Sequence, residues 1–147
     1  MKNISQKVYI RAHQHKVYET LTSAEGWDAW FTTGTSLEVN QEGTGEIKLR
    51  WNRSDGSIIE DGGRIVESHP PANFTFQWKP GESITAVKIT LEGFKDGTLV
   101  SLNEEGYGSS EQDLSALVGC SAGWGEALVL LKMYLEHGIV CKKDLLL

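Results

Sequence analysis

Apolar and polar residues alternate along "ISQKVYIRA", with Ile4, Gln6, Val8 and Ile10 set against Ser5, Lys7, Tyr9 and Arg11. A period of two is that of a half-buried strand, and it predicts one over residues 3–11. The spacing then changes. Val17, Tyr18 and Leu21 fall at helical intervals in "HQHKVYETLT", and Thr22 with Glu25 has the S/T-x-x-E form that opens a second short helix carrying Trp27, Trp30 and Phe31. From residue 35 onward, short alternating runs stand between Gly, Asp and Pro turns, as in an antiparallel meander.

The runs are "SLEV", then "GEIKLRW" with Ile47, Leu49 and Trp51 on one side, then "GRIVES", entered through Gly62-Gly63. The backbone freedom of that glycine pair predicts a bulge or tight bend. "NFTFQW" sets Phe74, Phe76 and Trp78 together, "SITAVKITLEGF" does the same for Val87, Ile89 and Leu91, and Asp96-Gly97 turns the chain into "TLVSLNEE". The sheet thus has about seven strands.

After "GYGSSEQ" the period becomes helical. Ser109 with Gln112, or Ser110 with Asp113, supplies the N-cap, and Gly138 the stop. Leu117, Ser121, Trp124, Leu128, Leu131 and Leu135 share one face of a helix of about 25 residues, roughly 37 Å long, enough to cross a whole sheet. Gly119, Gly123 and Gly125 lie inside it, each costing about 0.8 to 1 kcal/mol relative to Ala. Something tertiary must offset that. Either the missing side chains let the helix approach a curved sheet closely, or they make room for a void beside Trp124.

At 147 residues, 39% of them hydrophobic and five of them Trp, the chain reads as one domain over residues 1–147 with a sizeable core. A net charge of -6 excludes nucleic acid, which needs a basic patch, and disfavours anionic membranes. The N-terminus lacks a signal-peptide pattern, and no apolar stretch of about 18 residues stands out, so a cytoplasmic location is expected. Cys120 and Cys141 stand too far apart along the final helix to bridge and are expected to be reduced, Cys120 as a small buried residue.

The landmarks "VYETLTSAEGWDAWF", Gly63 before "RIVESHPP", "FTFQW", "GTLVSLNEEG" and "GWGEALVLLKMYLEHG" cover nearly the whole chain. In this order they resemble the helix-grip fold of the START and birch-pollen-allergen (SRPBCC) superfamily, and within it the branch named after the activator of Hsp90 ATPase. The resemblance implies an α+β fold of the order β-α-α-β6-α, a curved antiparallel sheet wrapped around the long C-terminal helix. It also implies an apolar cavity between the two. The superfamily includes lipid carriers, hormone receptors, polyketide cyclases and co-chaperone modules, so the fold leaves the function open.

Alternation and helix phase direct Trp30, Phe31, Trp51, Phe74, Phe76, Trp78, Val87, Ile89, Trp124 and Leu128 inward, with Tyr107 at one end. Such aromatic walls suit a flat apolar ligand, although the same rings could instead fill the interior. A void of about 300 Å³ or more beneath the helix would mark a typical small-molecule pocket. Glu67 shares a face with Ile65 in the simplest alternation, which makes it a candidate acid or base, while the Gly62-Gly63 break allows Val66 to be the inward residue instead. His13, His15, His69 and His137 fit no zinc spacing, His13 and His15 pointing apart on a helix. No nucleophile elbow or phosphate-binding glycine loop is present, so neither metal nor cofactor is expected.

Three functions follow. The first is binding of a small hydrophobic or aromatic ligand, such as a lipid, polyketide or flavonoid-like compound. The second is a stress-related interaction module, with Hsp90 as the partner the resemblance implies, or a homodimer through Val129 and Met133 of the final helix. The third is a polyketide cyclase-like or dehydratase-like enzyme using Glu67 and Tyr107.

Overall fold

Strand β1 (Ile4–Ile10) opens the chain, followed by helices α1 (Gln14–Leu21) and α2 (Ala24–Trp30). Six strands come next, β2 (Ser36–Val39), β3 (Gly45–Asn52), β4 (Ile58–His69), β5 (Asn73–Trp78), β6 (Thr85–Phe94) and β7 (Gly97–Glu105), and the long helix α3 (Glu111–His137) closes the fold. The computed structural model describes residues 2–145. The seven strands form one antiparallel sheet in the order β1-β7-β6-β5-β4-β3-β2. This is the α+β helix-grip arrangement expected.

Alternation sets the inner face. Ile47, Leu49 and Trp51 of β3, Phe74, Phe76 and Trp78 of β5, and Val87, Ile89 and Leu91 of β6 are all buried. Opposite them, α3 buries Trp124, Ala127, Leu128, Leu130 and Leu131. Gly62 and Gly63 allow β4 to run close between its neighbours. A Cβ on Gly63 would stand 2.1 Å from the Gln77 carbonyl oxygen, and one on Gly62 equally near that of Ile47. The bulge itself falls later, where pairing shifts between Ile65 and Glu67.

Helix α3 is fastened at both ends. At its start Ser110 caps the Asp113 N–H, and the Asp113 carboxylate accepts from the Ser83 hydroxyl at 2.5 Å and from the N–H groups of Gly108, Glu82 and Ser83. The Ser83 hydroxyl bond and then these N–H groups hold its pKa down to about 2. Near the other end, Lys132 Nζ donates to the Tyr9 carbonyl and to Glu136, which also accepts the Arg11 N–H. Gly138 ends the helix in the left-handed region at φ 67°.

Four expectations need correction. The second helix is capped by Ser23, which accepts from the Gly26 N–H, while the Thr22 hydroxyl turns back to the Tyr18 carbonyl. His13 is a non-helical N-cap, so its ring stacks on His15 at 5.3 Å instead of pointing away. Strand β4 begins at Ile58, earlier than its apolar run indicated, because Glu60 and Asp61 disguise its start. An 18-residue window of α3 does reach the length and mean hydropathy (1.6) of a membrane span, although one face of the helix packs on the sheet.

Candidate functional site

A cavity of about 150 Å³ lies between α3 and the sheet, lined by Phe31, Trp51, Trp78, Gly119, Cys120, Gly123 and Trp124. Its walls are mostly ring surface. Trp51 meets Phe31 edge-on at 5.3 Å, Phe31 stands 6.4 Å from Trp124, and Trp124 stands 5.6 Å from Trp78, so the four rings form a continuous arc in which no adjacent pair is parallel. A larger hollow on the surface, over Glu46, Lys48, Glu60 and Arg64, is lined mostly by charged side chains.

The glycine question resolves here. A Cβ on Gly119 or Gly123 would find no atom within 4 Å, so these two positions border open space and not a tight helix-sheet contact. Gly125 differs, because its Cβ would come 3.4 Å from the Gln6 side chain, whose Nε2 donates to the Ser121 carbonyl. Gly119 is exposed and lines the cavity, so the cavity reaches the surface there.

Behind the rings lies a group that the periodicity could have disclosed. Glu104 is fully buried, and its Oε2 accepts from Trp78 Nε1 (2.8 Å), Thr85 Oγ1 (2.6 Å) and the Tyr107 hydroxyl (2.8 Å). Its Oε1 accepts from Trp124 Nε1 at 2.9 Å. An indole N–H can only donate, so the surroundings complement a carboxylate. Two of the four donors belong to cavity walls, and Glu104 therefore fixes how Trp78 and Trp124 stand.

The neighbours register this environment. Burial, the Cys120 thiol and Glu104 all push the Tyr107 pKa up. Burial pushes the Cys120 thiol up to about 11, with the negative charges of Glu104 and Asp61 adding to it. Asp61 is raised by burial, with Glu104 contributing.

Of the residues directed inward by the sequence pattern, Phe31, Trp51, Trp78 and Trp124 line the cavity. Trp30, Phe74, Phe76, Val87, Ile89 and Leu128 are buried within the core around it. Tyr107 is buried as a partner of Glu104. Glu67 is not on the cavity side: the bulge after Ile65 shifts the phase by one residue, pairs Glu67 with Thr75 and places Ser68 opposite the inward Phe74. Glu67 lies 3.8 Å from His69, and Val66 is also exposed. Cys120 lines the cavity and is only partly buried, and both cysteines are free thiols.

Among curated proteins, no sequence matches the chain significantly. Solved structures match it closely in fold. The Aha1 dimer from Colwellia psychrerythraea superposes with a TM-score of 0.73 at 22% identity, over 94% of this chain and 98% of that one. CalU16 from Micromonospora echinospora gives 0.69 at 25% identity, over 92% and 77%. DynU16 of the dynemicin biosynthetic locus gives 0.74 at 20% identity, over 94% of this chain and 48% of its own. The model of the family described as activator of Hsp90 ATPase homolog 1-like protein matches residues 11–136, and with most of its length so covered the chain belongs to that family.

Proposed function

We propose that this chain binds a small apolar or aromatic molecule in the cavity between its sheet and α3. The observation that carries the reading is the arc of Trp51, Phe31, Trp124 and Trp78 around a space that Gly119 and Gly123 leave open. A volume of about 150 Å³ falls below the roughly 300 Å³ of a typical small-molecule pocket and matches a cavity known to hold benzene. Compounds with one ring are therefore favoured over a full lipid, polyketide or flavonoid. The cyclase-like reading loses its acid or base with Glu67 on the other face of the sheet. DynU16, a structural neighbour, comes from a biosynthetic locus, a setting in which small molecules are handled.

Indole N–H signals in 15N-labelled protein test this directly. Titration with acetophenone, laurate and naringenin should move the Trp51, Trp78 and Trp124 signals saturably for acetophenone and leave Trp27 little changed, because Trp27 donates to the Leu21 carbonyl beneath α2. The absence of any saturable movement with all three would defeat the proposal.

A second reading has its own observation. Leu114, Val118 and Val129 stand exposed on the outer side of α3, at 42%, 71% and 54%. Such a strip would be covered in a homodimer, the state of the Colwellia protein. Sedimentation should then give twice the 16.3 kDa chain mass, and Val118→Lys should return it to one. A monomer at every concentration sampled would remove this reading.

A further inference from the structure

We propose that the cavity's ligand carries a positive charge: a small methylated ammonium or comparable organic cation, held among the aromatic rings with Glu104 as its buried counter-charge. The inference rests on the small-ligand reading above and narrows its chemistry.

The rings supply the first part. Trp51, Phe31, Trp124 and Trp78 stand at interplanar angles between 42° and 71° to their neighbours along the arc. The four rings together line one apolar space. A ring face is the negative end of the aromatic quadrupole and attracts a cation within about 6 Å, which is how quaternary ammonium groups are recognised in aromatic cages. A neutral apolar guest would fit the same volume and gain only the burial.

Glu104 supplies the second part. A buried charge is normally met by an opposite charge, yet no Lys, Arg or His among the described residues makes an ion pair with this one. Its partners are four neutral donors. Three of them crowd Oε2 and one reaches Oε1, which leaves Oε1 with acceptor capacity to spare. The two indoles that donate to this carboxylate are cavity walls, and an N–H that donates to an anion pushes electron density back into its ring. The faces of Trp78 and Trp124 are thereby made better partners for a cation.

The field of Glu104 extends along the cavity. It contributes to the upward shifts of Cys120, which lines the space, and of Asp61, on the same side of the sheet. Both shifts have burial as their largest cause, and the charge of Glu104 adds to each. The cavity lining offers no oxygen ligands beyond the main chain, so a bare inorganic ion is a poor fit and a methylated ammonium a good one. Size agrees, since about 150 Å³ accepts a trimethylammonium head.

Choline and its neutral carbon isostere 3,3-dimethyl-1-butanol separate charge from shape. In the native protein, choline should bind with a Kd at least tenfold lower than the alcohol and should shift the Trp78 and Trp124 indole signals. Glu104→Gln should erase most of that difference, and Trp51→Leu should weaken both compounds. Should Glu104→Gln fail to fold, judged by circular dichroism, the comparison in the native protein decides alone. Equal binding, or preference for the alcohol, overturns the cation and leaves the small-ligand reading intact. Binding of acetophenone without choline does the same. If none of the three compounds binds, the cation falls, and the small-ligand reading falls with it when laurate and naringenin also fail.

Discussion

Glu104→Ala should lower the free energy of unfolding by about 2 to 6 kcal/mol, measured by urea denaturation. The range follows from the two indole donors, Trp78 and Trp124, each of which would be left buried without an acceptor at a cost of roughly 1 to 3 kcal/mol. The hydroxyls of Thr85 and Tyr107 can rotate toward other acceptors; the indole N–H groups cannot. Glu104→Gln should cost less, because one oxygen remains, although its amide nitrogen then faces donors. Removal of a buried carboxylate without a cationic partner recovers part of the loss, which places the expectation below a simple count of broken bonds. A variant as stable as the parent would mean that these four bonds do not hold the rings.

The opposite sign is expected at the glycines. Gly119→Ala and Gly123→Ala together should raise stability by about 1.6 to 2 kcal/mol, since each replaces the poorest ordinary helix former with the best and the new Cβ meets nothing within 4 Å. Gly123→Leu should fill the cavity and abolish ligand binding while leaving the fold intact. A helix that has forgone this stability at two positions beside the same space is consistent with selection for the space. Destabilisation by both alanines would instead favour close helix-sheet contact as the reason for the glycines.

Much of this fold could be read from the pattern of side chains. Period-two runs located the strands, and the four-three spacing from Leu117 to Leu135 located the buried face of α3. What alternation could not foresee was a one-residue shift. The bulge between Ile65 and Glu67 moves every later side chain of β4 to the other face, and nothing in "RIVESH" marks it. The inward position of Glu104 is legible in the alternation of β7. Thr98, Val100, Leu102 and Glu104 alternate in phase and are all buried, but an acidic pair at a strand end reads as solvent-facing. Its donors come from β5, β6, the segment after β7, and α3, so their convergence is a tertiary fact. Cavity volume depends on how α3 sits against the sheet, and no single sequence records that.

The two fastenings of α3, at Asp113 and at Lys132 with Glu136, work like the abutments of a bridge. A span held at both ends resists swinging aside, and the exposed Gly119 marks one opening beneath it. Breaking one abutment, at Asp113 or at Glu136, is then expected to admit a bulkier guest.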